Sequence, residues 1–451
     1  MTAADGGGRP GGDGRSRAEP PLTTALAELR IDGARLIERL ENLARHGGID
    51  RDGRPVPAGV APTGSSRLAA TEADGRGRDL VTGWMRELGL AVRIDEVGNV
   101  IGVRAAADGS TDRPVMTGSH IDTVATGGKY DGNLGVLSAL EVVATLNDHA
   151  IATRRPIAVG FFTNEEGVRF QPDMMGSLVY AGGLPAGVAR AARDQGGKAL
   201  GDELAAIGYL GEAPAPGPVP FAFVEMHIEQ GPVLERDGAT IGAVTGVQGI
   251  SWTEVRIAGQ GNHAGTTPMG SRRDAGLAAA RLSVFLDDLA RGGDGQVATV
   301  GQVELFPNLI NVIPGRARLT VDLRNIDNAA LAAAEDAFRG LVEELAERYG
   351  LEIGLANLVR FDPVDFDARM VGLVERTARR LGHPVQRIAS GAGHDAQMLA
   401  RIAPTAMIFA TSHGGISHDP AEWTRPEDLV AAADTLLHTI LELTEGDHLT
   451  A

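Results

Sequence analysis

The chain has 451 residues, more than one hydrophobic core usually serves, so two domains are expected. A formal net charge of -17 argues against nucleic acid or an anionic membrane surface as partner, and any acidic substrate has to be met by individual Arg and His residues inside a cleft. Cysteine is absent, which excludes disulfides and thiolate metal sites.

Taken in chain order, the first twenty residues are rich in Gly, Arg, Asp and Pro and lack the apolar centre of a signal peptide. They read as a disordered extension, residues 1–21, of a cytoplasmic protein. No later apolar stretch reaches the roughly 20 residues of a membrane span. From Leu22 to about Val244 helical patterns alternate with short apolar runs, as a mostly parallel sheet covered by helices requires. The runs Pro114 to Thr117, Ile157 to Phe162 and Phe221 to Met226 read as buried strands, and Gly211 to Pro220 as a surface loop. From Gly249 to about Arg360 the order becomes strand (Ser251 to Ala258), helix (Arg272 to Leu289), strand (Val297 to Phe306), strand (Arg316 to Leu323), helix (Ala329 to Tyr349), strand (Glu352 to Val359). That βαββαβ order is ferredoxin-like. The α/β alternation then resumes with Ala406 to Ala410, and a capping box, Thr424 with Glu427 and Pro426 in the first turn, announces the last helix. The expected fold class is α/β: a discontinuous catalytic domain, residues 22–247 and 361–451, with an inserted domain, residues 248–360.

The chemistry sits where the apolar runs end. His120 follows the first in Gly118-Ser119-His120-Ile121-Asp122-Thr123, and Asp131-Gly132 comes next. Asn164-Glu165-Glu166-Gly167 follows the second run, His227-Ile228-Glu229-Gln230-Gly231 the third, and Ser417-His418-Asp419-Pro420-Ala421-Glu422 the fourth. A pair of divalent metals needs nitrogen and oxygen donors, a carboxylate able to bridge, and an open position for water. His120, Asp131, Glu166, His227 and His418 meet that need, and strand ends are where open α/β sheets place their sites. Adjacent acids diverge at a strand end, so one of Glu165 and Glu166 can face a metal and the other a water. The remaining histidines His46, His149, His383, His413, His438 and His448 carry no comparable motif.

From about Leu22 to about Leu443 these motifs, in order and spacing, resemble the M20 peptidase clan, and within it the hydantoinase/carbamoylase family of metal-dependent amidohydrolases. The resemblance implies two divalent ions per subunit, zinc, manganese, cobalt or nickel. It makes His120 and His227 ligands of one, Glu166 and His418 of the other, Asp131 the bridge and Glu165 the general base. Peptidases of the clan usually carry a carboxylate where this chain has His227, so the His227 string looks like the ureido-hydrolysing branch. Matching positions imply that Gln230, Asn311, Arg324, Gly393 and His394 contact substrate, with Asn311 and Arg324 at its carboxylate. His263, in Asn262-His263-Ala264-Gly265-Thr266-Thr267-Pro268-Met269, would reach the site of a partner subunit in a homodimer.

The activity this implies is hydrolysis of the linear C-N bond of a small ureido acid, an N-carbamoyl-L-amino acid first and allantoate as the alternative, with the inserted domain closing as a lid. A peptidase or aminoacylase of the clan and a non-catalytic binding protein are the rival readings; the latter has no need of a Glu165 base beside a full ligand set. A Ser251 to Ala258 edge strand, alternating Trp252, Glu254 and Arg256 with Val255 and Ile257, would pair with its symmetry mate.

Overall fold

The structure, a computed structural model, describes residues 24–293 and 295–446. The expected extension at residues 1–21 lies outside them. The described residues 24–30 belong to a unit apart from the rest of the chain and hold one helical turn, Thr24–Ala27.

The rest is α/β, built on a nine-stranded sheet. Its centre runs Thr405–Ala410, Ala222–Ile228, Val115–His120, Ile157–Phe162, all parallel. Every residue of these four strands is buried, as their unbroken apolar runs require of strands covered on both faces. The flanks turn antiparallel: Val100–Arg104 and Ala91–Ile94 on one side, Ile241–Val247 and Val364–Asp365 on the other. Val385–Ser390 adds a further parallel pairing to Ile241–Val247. Two of the site strands run further than their apolar residues suggest. His120 is the last residue of its strand and His227 lies inside Ala222–Ile228, so both imidazoles stand on the rigid sheet rather than on a loop.

Helix Asn133–Asp148 packs on this centre and is buried from Asn133 through Leu146. A helix apolar on all sides belongs inside a core, and here Gly33–Ala44 and Pro426–Glu445 cover it. Its first turn begins directly after Asp131, through Gly132 at φ +62°. A Cβ at Gly132 would come within 2.4 Å of the His120 ring. Only glycine therefore lets the chain pass the imidazole and enter the helix at that point.

The segment between Gly249 and Phe361 makes a separate four-stranded antiparallel sheet in the order Val297–Phe306, Arg316–Asn325, Gly249–Ala258, Glu352–Phe361. The βαββαβ sequence is the one read from the pattern. Helices Ala275–Gly292 and Asn328–Tyr349 cover one face around Val255, Ile257, Leu319, Val321, Leu323, Phe338 and Leu345. The alternating residues Ile250, Trp252 and Arg324 point to the opposite face. The first helix starts at Ala275 rather than Arg272 because Asp274 caps it, accepting from the Leu277 amide at 3.0 Å.

Two expectations are corrected here. Ser251 to Ala258 is not an edge strand: it is flanked by Arg316–Asn325 and Glu352–Phe361 along its length, so its backbone groups are spent and it cannot pair with a symmetry mate. The capping box at Thr424 does not form. The Thr424 hydroxyl donates instead to the Thr411 carbonyl at 2.7 Å, Arg425 takes the N-cap position without a side-chain cap, and Pro426 opens the helix. A buried carbonyl near the hydroxyl outcompetes the local helix amide.

Candidate active site

The sheet and its loops bring His120, Asp131, Glu165, Glu166, His227 and His418 together. Asp131 is the centre. Its Oδ1 lies 3.2 Å from His227 Nε2 and 3.4 Å from His120 Nε2, while its Oδ2 lies 3.3 Å from His418 Nε2. Glu165 Oε2 stands 3.4 Å from His120 Nε2, and Glu166 Oε2 stands 3.5 Å from His418 Nε2. The adjacent acids thus diverge toward different histidines. Two groups, His120 with Asp131 and His227, and Asp131 with Glu166 and His418, each place their donor atoms within 4.8 Å of one another.

The histidine rings are set for ligation. His120 Nδ1 meets the Asp122 carbonyl and His227 Nδ1 the Ile228 carbonyl, each at 2.9 Å. A carbonyl only accepts, so each ring carries its proton on Nδ1 and turns a bare Nε2 inward. Gly132 N donates to His227 Nε2 at 3.0 Å in keeping with that tautomer, and buried His120 Nε2 has no hydrogen-bond partner.

Electrostatics show an excess of buried acid around these rings. Burial, with the charges of Asp395, Glu166 and Asp131, pushes the Glu165 carboxyl well above the usual range. Burial and Asp131 raise Glu166 to about 8, and burial and Asp131 raise Glu422 to about 7. Burial disfavours a charged His120, yet Glu165 and Asp131 outweigh it and hold that ring well above its ordinary value; the hydrogen bond to Asp131 lifts His418 to about 9. So many buried carboxylates lack compensating charge, and divalent cations would supply it. The donor set of imidazole nitrogen and carboxylate oxygen fits such ions.

Four side chains that the motifs left without a role hold this arrangement. Asp122 accepts from the amides of Glu165 and Glu166, each at 3.4 Å. Glu422 accepts from the amides of Tyr130 (3.1 Å) and Asp131 (3.3 Å) and from Ser417 Oγ (3.0 Å), joining the Asp131 and His418 loops. Glu225, on the sheet behind His227, accepts from Ser119 Oγ at 2.6 Å and the Ala396 amide at 2.7 Å. Arg67, fully buried, donates to the carbonyls of Ile121, Leu43 and His46 and to Asn133 Oδ1. Asp122 and Glu422 stand inside motifs already singled out for their neighbours; Glu225 and Arg67 carry no such signal.

A cavity of about 180 Å³ opens over the cluster, lined among others by Glu165, His227, Gln230, Arg324, Gly393 and His394. Gln230 Nε2 donates to Asp131 Oδ2 at 2.8 Å. His394 is buried with Nε2 2.9 Å from Ser390 Oγ and Nδ1 without a partner, and burial beside His227 holds its pKa well below the usual value. Arg324 comes from the smaller sheet, fixed by Asp322 and by the Gly391 carbonyl at 2.8 Å. Asp173, Ile250 and Trp252 also line the cavity, and sequence reasoning missed all three. His263 and Asn311 do not line it. They sit on an exposed ribbon in which Asn262–His263 pairs with Val312–Ile313, and Asn311 accepts from the Ala264 amide. A larger hollow of about 500 Å³, bordered by Gln171, Pro172, Leu184 and Val188, contains no titratable side chain in its lining.

A model of the peptidase family M20/M25/M40 matches residues 116–442. An N-carbamoyl-L-amino-acid amidohydrolase of Rhizobium meliloti is 42% identical over 92% of this chain and 97% of its own length. A ureidoglycolate hydrolase of Oryza sativa subsp. japonica is 34% identical over 85% of this chain and 80% of its own. The crystal structure of an amidase of the hydantoinase/carbamoylase family from Burkholderia multivorans superposes with a TM-score of 0.87 at 43% identity, covering 92% of this chain and 98% of that one.

Proposed function

Because the chain belongs to the M20/M25/M40 peptidase family, we propose that the site hydrolyses the linear C-N bond of an N-carbamoyl-L-amino acid, releasing amino acid, ammonia and carbon dioxide. The observation that carries the reading is one cavity lined both by Asp131, Glu166, His227 and His418 of the candidate ligand cluster with Glu165 and by Arg324. The Rhizobium relative of that name adds support. Allantoate or ureidoglycolate as the ureido acid is the second reading, favoured by the rice relative; it uses the same residues.

His120 and His227 would hold one divalent ion, Glu166 and His418 a second, with Asp131 between them. Zinc, manganese, cobalt and nickel all suit these donors. Bound there, such ions polarise a carbonyl and ease deprotonation of water. Glu165, buried beside His120, accepts the proton of the attacking water and returns it to the leaving nitrogen. Its raised proton affinity suits a group that must hold a proton between those steps. Arg324 receives the substrate carboxylate, and Gln230 and Gly393 border the ureido group; Asn311, on the exposed ribbon with His263, would reach the carboxylate only in the site of a partner subunit. His394 stays neutral and adds no positive charge next to the ligands.

Arg324→Ala is expected to raise KM for N-carbamoyl-L-amino acids by ten- to a hundredfold with kcat little changed, since a hydrogen bond to a charged group contributes about 1.5–3 kcal/mol. Ammonia-release kinetics measure it. An unchanged KM would remove Arg324 from substrate binding.

His263 belongs to this reading only through a homodimer. Its ribbon is exposed and away from the cavity of its own subunit, which supports a role in the site of a partner subunit. Mixing inactive His263→Ala with inactive Glu165→Gln subunits should then restore part of the activity. No recovery after proven subunit exchange would refute the contribution in trans.

A further inference from the structure

Asp173 lines the cavity over the ligand cluster and has no role in the steps above. The loop that carries it is closed at its base: Met174 N donates to the Glu165 carbonyl at 2.7 Å. It is also held from within, where the Asn164 side-chain amide donates to the carbonyls of Phe170 (3.0 Å) and Pro172 (3.1 Å). Gly167 leaves room for Asp173, since a Cβ there would lie 2.7 Å from the Asp173 Cβ. The next residue, Met174, is buried against Gly393, another residue of the cavity wall. The carboxylate is therefore presented from a fixed backbone into the space where substrate is expected.

Arg324 is the cation whose charge acts on Asp173, yet its guanidinium hydrogen bonds go to Asp322 and the Gly391 carbonyl. Among the described residues no side chain is hydrogen-bonded to the Asp173 carboxylate. Ile250 and Trp252 supply apolar wall around the same cavity. A half-buried carboxylate that accepts only from its own backbone amide favours a ligand that brings a further donor, and its negative charge disfavours a ligand that brings a second carboxylate.

We infer that Asp173 sets selectivity for the second substituent on the substrate's α-carbon, favouring an arm with N–H or O–H donors and rejecting an acidic arm. This rests on the ureido-acid reading of the site. The donor arm is the amide or hydroxyl side chain of an N-carbamoyl-L-amino acid, or the second ureido group of allantoate.

Binding to the metal-loaded full chain by calorimetry tests it, in a Glu165→Gln background so that nothing is consumed. The probes are N-carbamoyl-L-asparagine and N-carbamoyl-L-aspartate, which differ by amide against carboxylate at nearly equal size, together with allantoate. The asparagine derivative should bind at least about tenfold more tightly than the aspartate derivative, because like charges brought together in a cavity are strongly penalised. Adding Asp173→Asn, or Asp173→Ser as a smaller replacement, should shrink that ratio to about threefold or less by the same argument. Each ratio is read within one variant, so a loss of folded protein cancels. Allantoate binding that exceeds the asparagine derivative and weakens in Asp173→Asn assigns the donor to the second ureido arm. A ratio unchanged by both Asp173 substitutions, or no binding of any probe, overturns the inference. Ammonia release by the chain with Glu165 intact separates the two ideas: release with an unchanged ratio leaves the hydrolase reading standing without Asp173, whereas a shifted ratio without release leaves Asp173 standing and removes the hydrolase reading.

Discussion

Glu165→Gln is expected to lower kcat by at least about a hundredfold, the usual contribution of a positioned general base, while the protein keeps the metal content of the unaltered chain. Gln preserves the shape of the side chain and its place beside His120 but cannot take a proton. The residue is not among the two groups whose donor atoms converge within 4.8 Å, so removing its charge should leave both ligand sets intact. Glu166→Gln provides the contrast. Its carboxylate belongs to the group with Asp131 and His418, and metal content should fall there before any kinetic effect is resolved. Metal analysis of the two purified variants beside their turnover numbers checks both. Equal metal loss in each would mean that the roles of the adjacent acids are wrong.

Arg67→Met should destabilise the fold by about 3 kcal/mol or more, because buried acceptors left unpaired cost about 1–3 kcal/mol each. The guanidinium serves the carbonyls of Ile121, Leu43 and His46, Ser65 Oγ and Asn133 Oδ1 from a fully buried position. Burial lowers its pKa to about 10, still far above neutrality, so it stays charged at physiological pH. Ile121 follows His120 and Asn133 follows Gly132, so one side chain ties the end of the His120 strand to the start of the helix that follows Asp131. Met fills similar volume without donors. A urea unfolding midpoint equal to that of the unaltered chain would contradict the role given to Arg67.

What the sequence makes legible follows from how local each signal is. Buried central strands announce themselves as unbroken apolar runs, and the candidate ligands fall at or past the ends of those runs, so His120, Glu166, His227 and His418 could be named from the sequence, and the fold brings them together. The βαββαβ segment is readable because the period changes between 2 and 3.6 from one element to the next, each period being legible within its own element. Strand order is not local. Nothing in Ser251 to Ala258 says that two strands flank it, and its polar face, Trp252, Glu254 and Arg256, imitates an edge because that face of the sheet is turned away from its helices. Thr424 has the right spacing for a cap, but the Thr411 carbonyl that captures it comes from the preceding strand end. Arg67, Asp173 and Trp252 reach the site from separate segments. Their chemistry exists only once the chain has folded.

The central claim is that this site cleaves a ureido C-N bond rather than a peptide bond. The most direct measurement is kcat/KM of one metal-loaded preparation for N-carbamoyl-L-alanine and for L-alanyl-L-alanine, by ammonia release and by amino-acid release respectively, with allantoate as a third substrate. The account predicts a ureido acid as the better substrate by at least about a hundredfold, since a site built for one set of polar groups discriminates by large factors against another. Preference for allantoate over N-carbamoyl-L-alanine would change the ureido acid and keep the chemistry. Preference for the dipeptide would contradict the account.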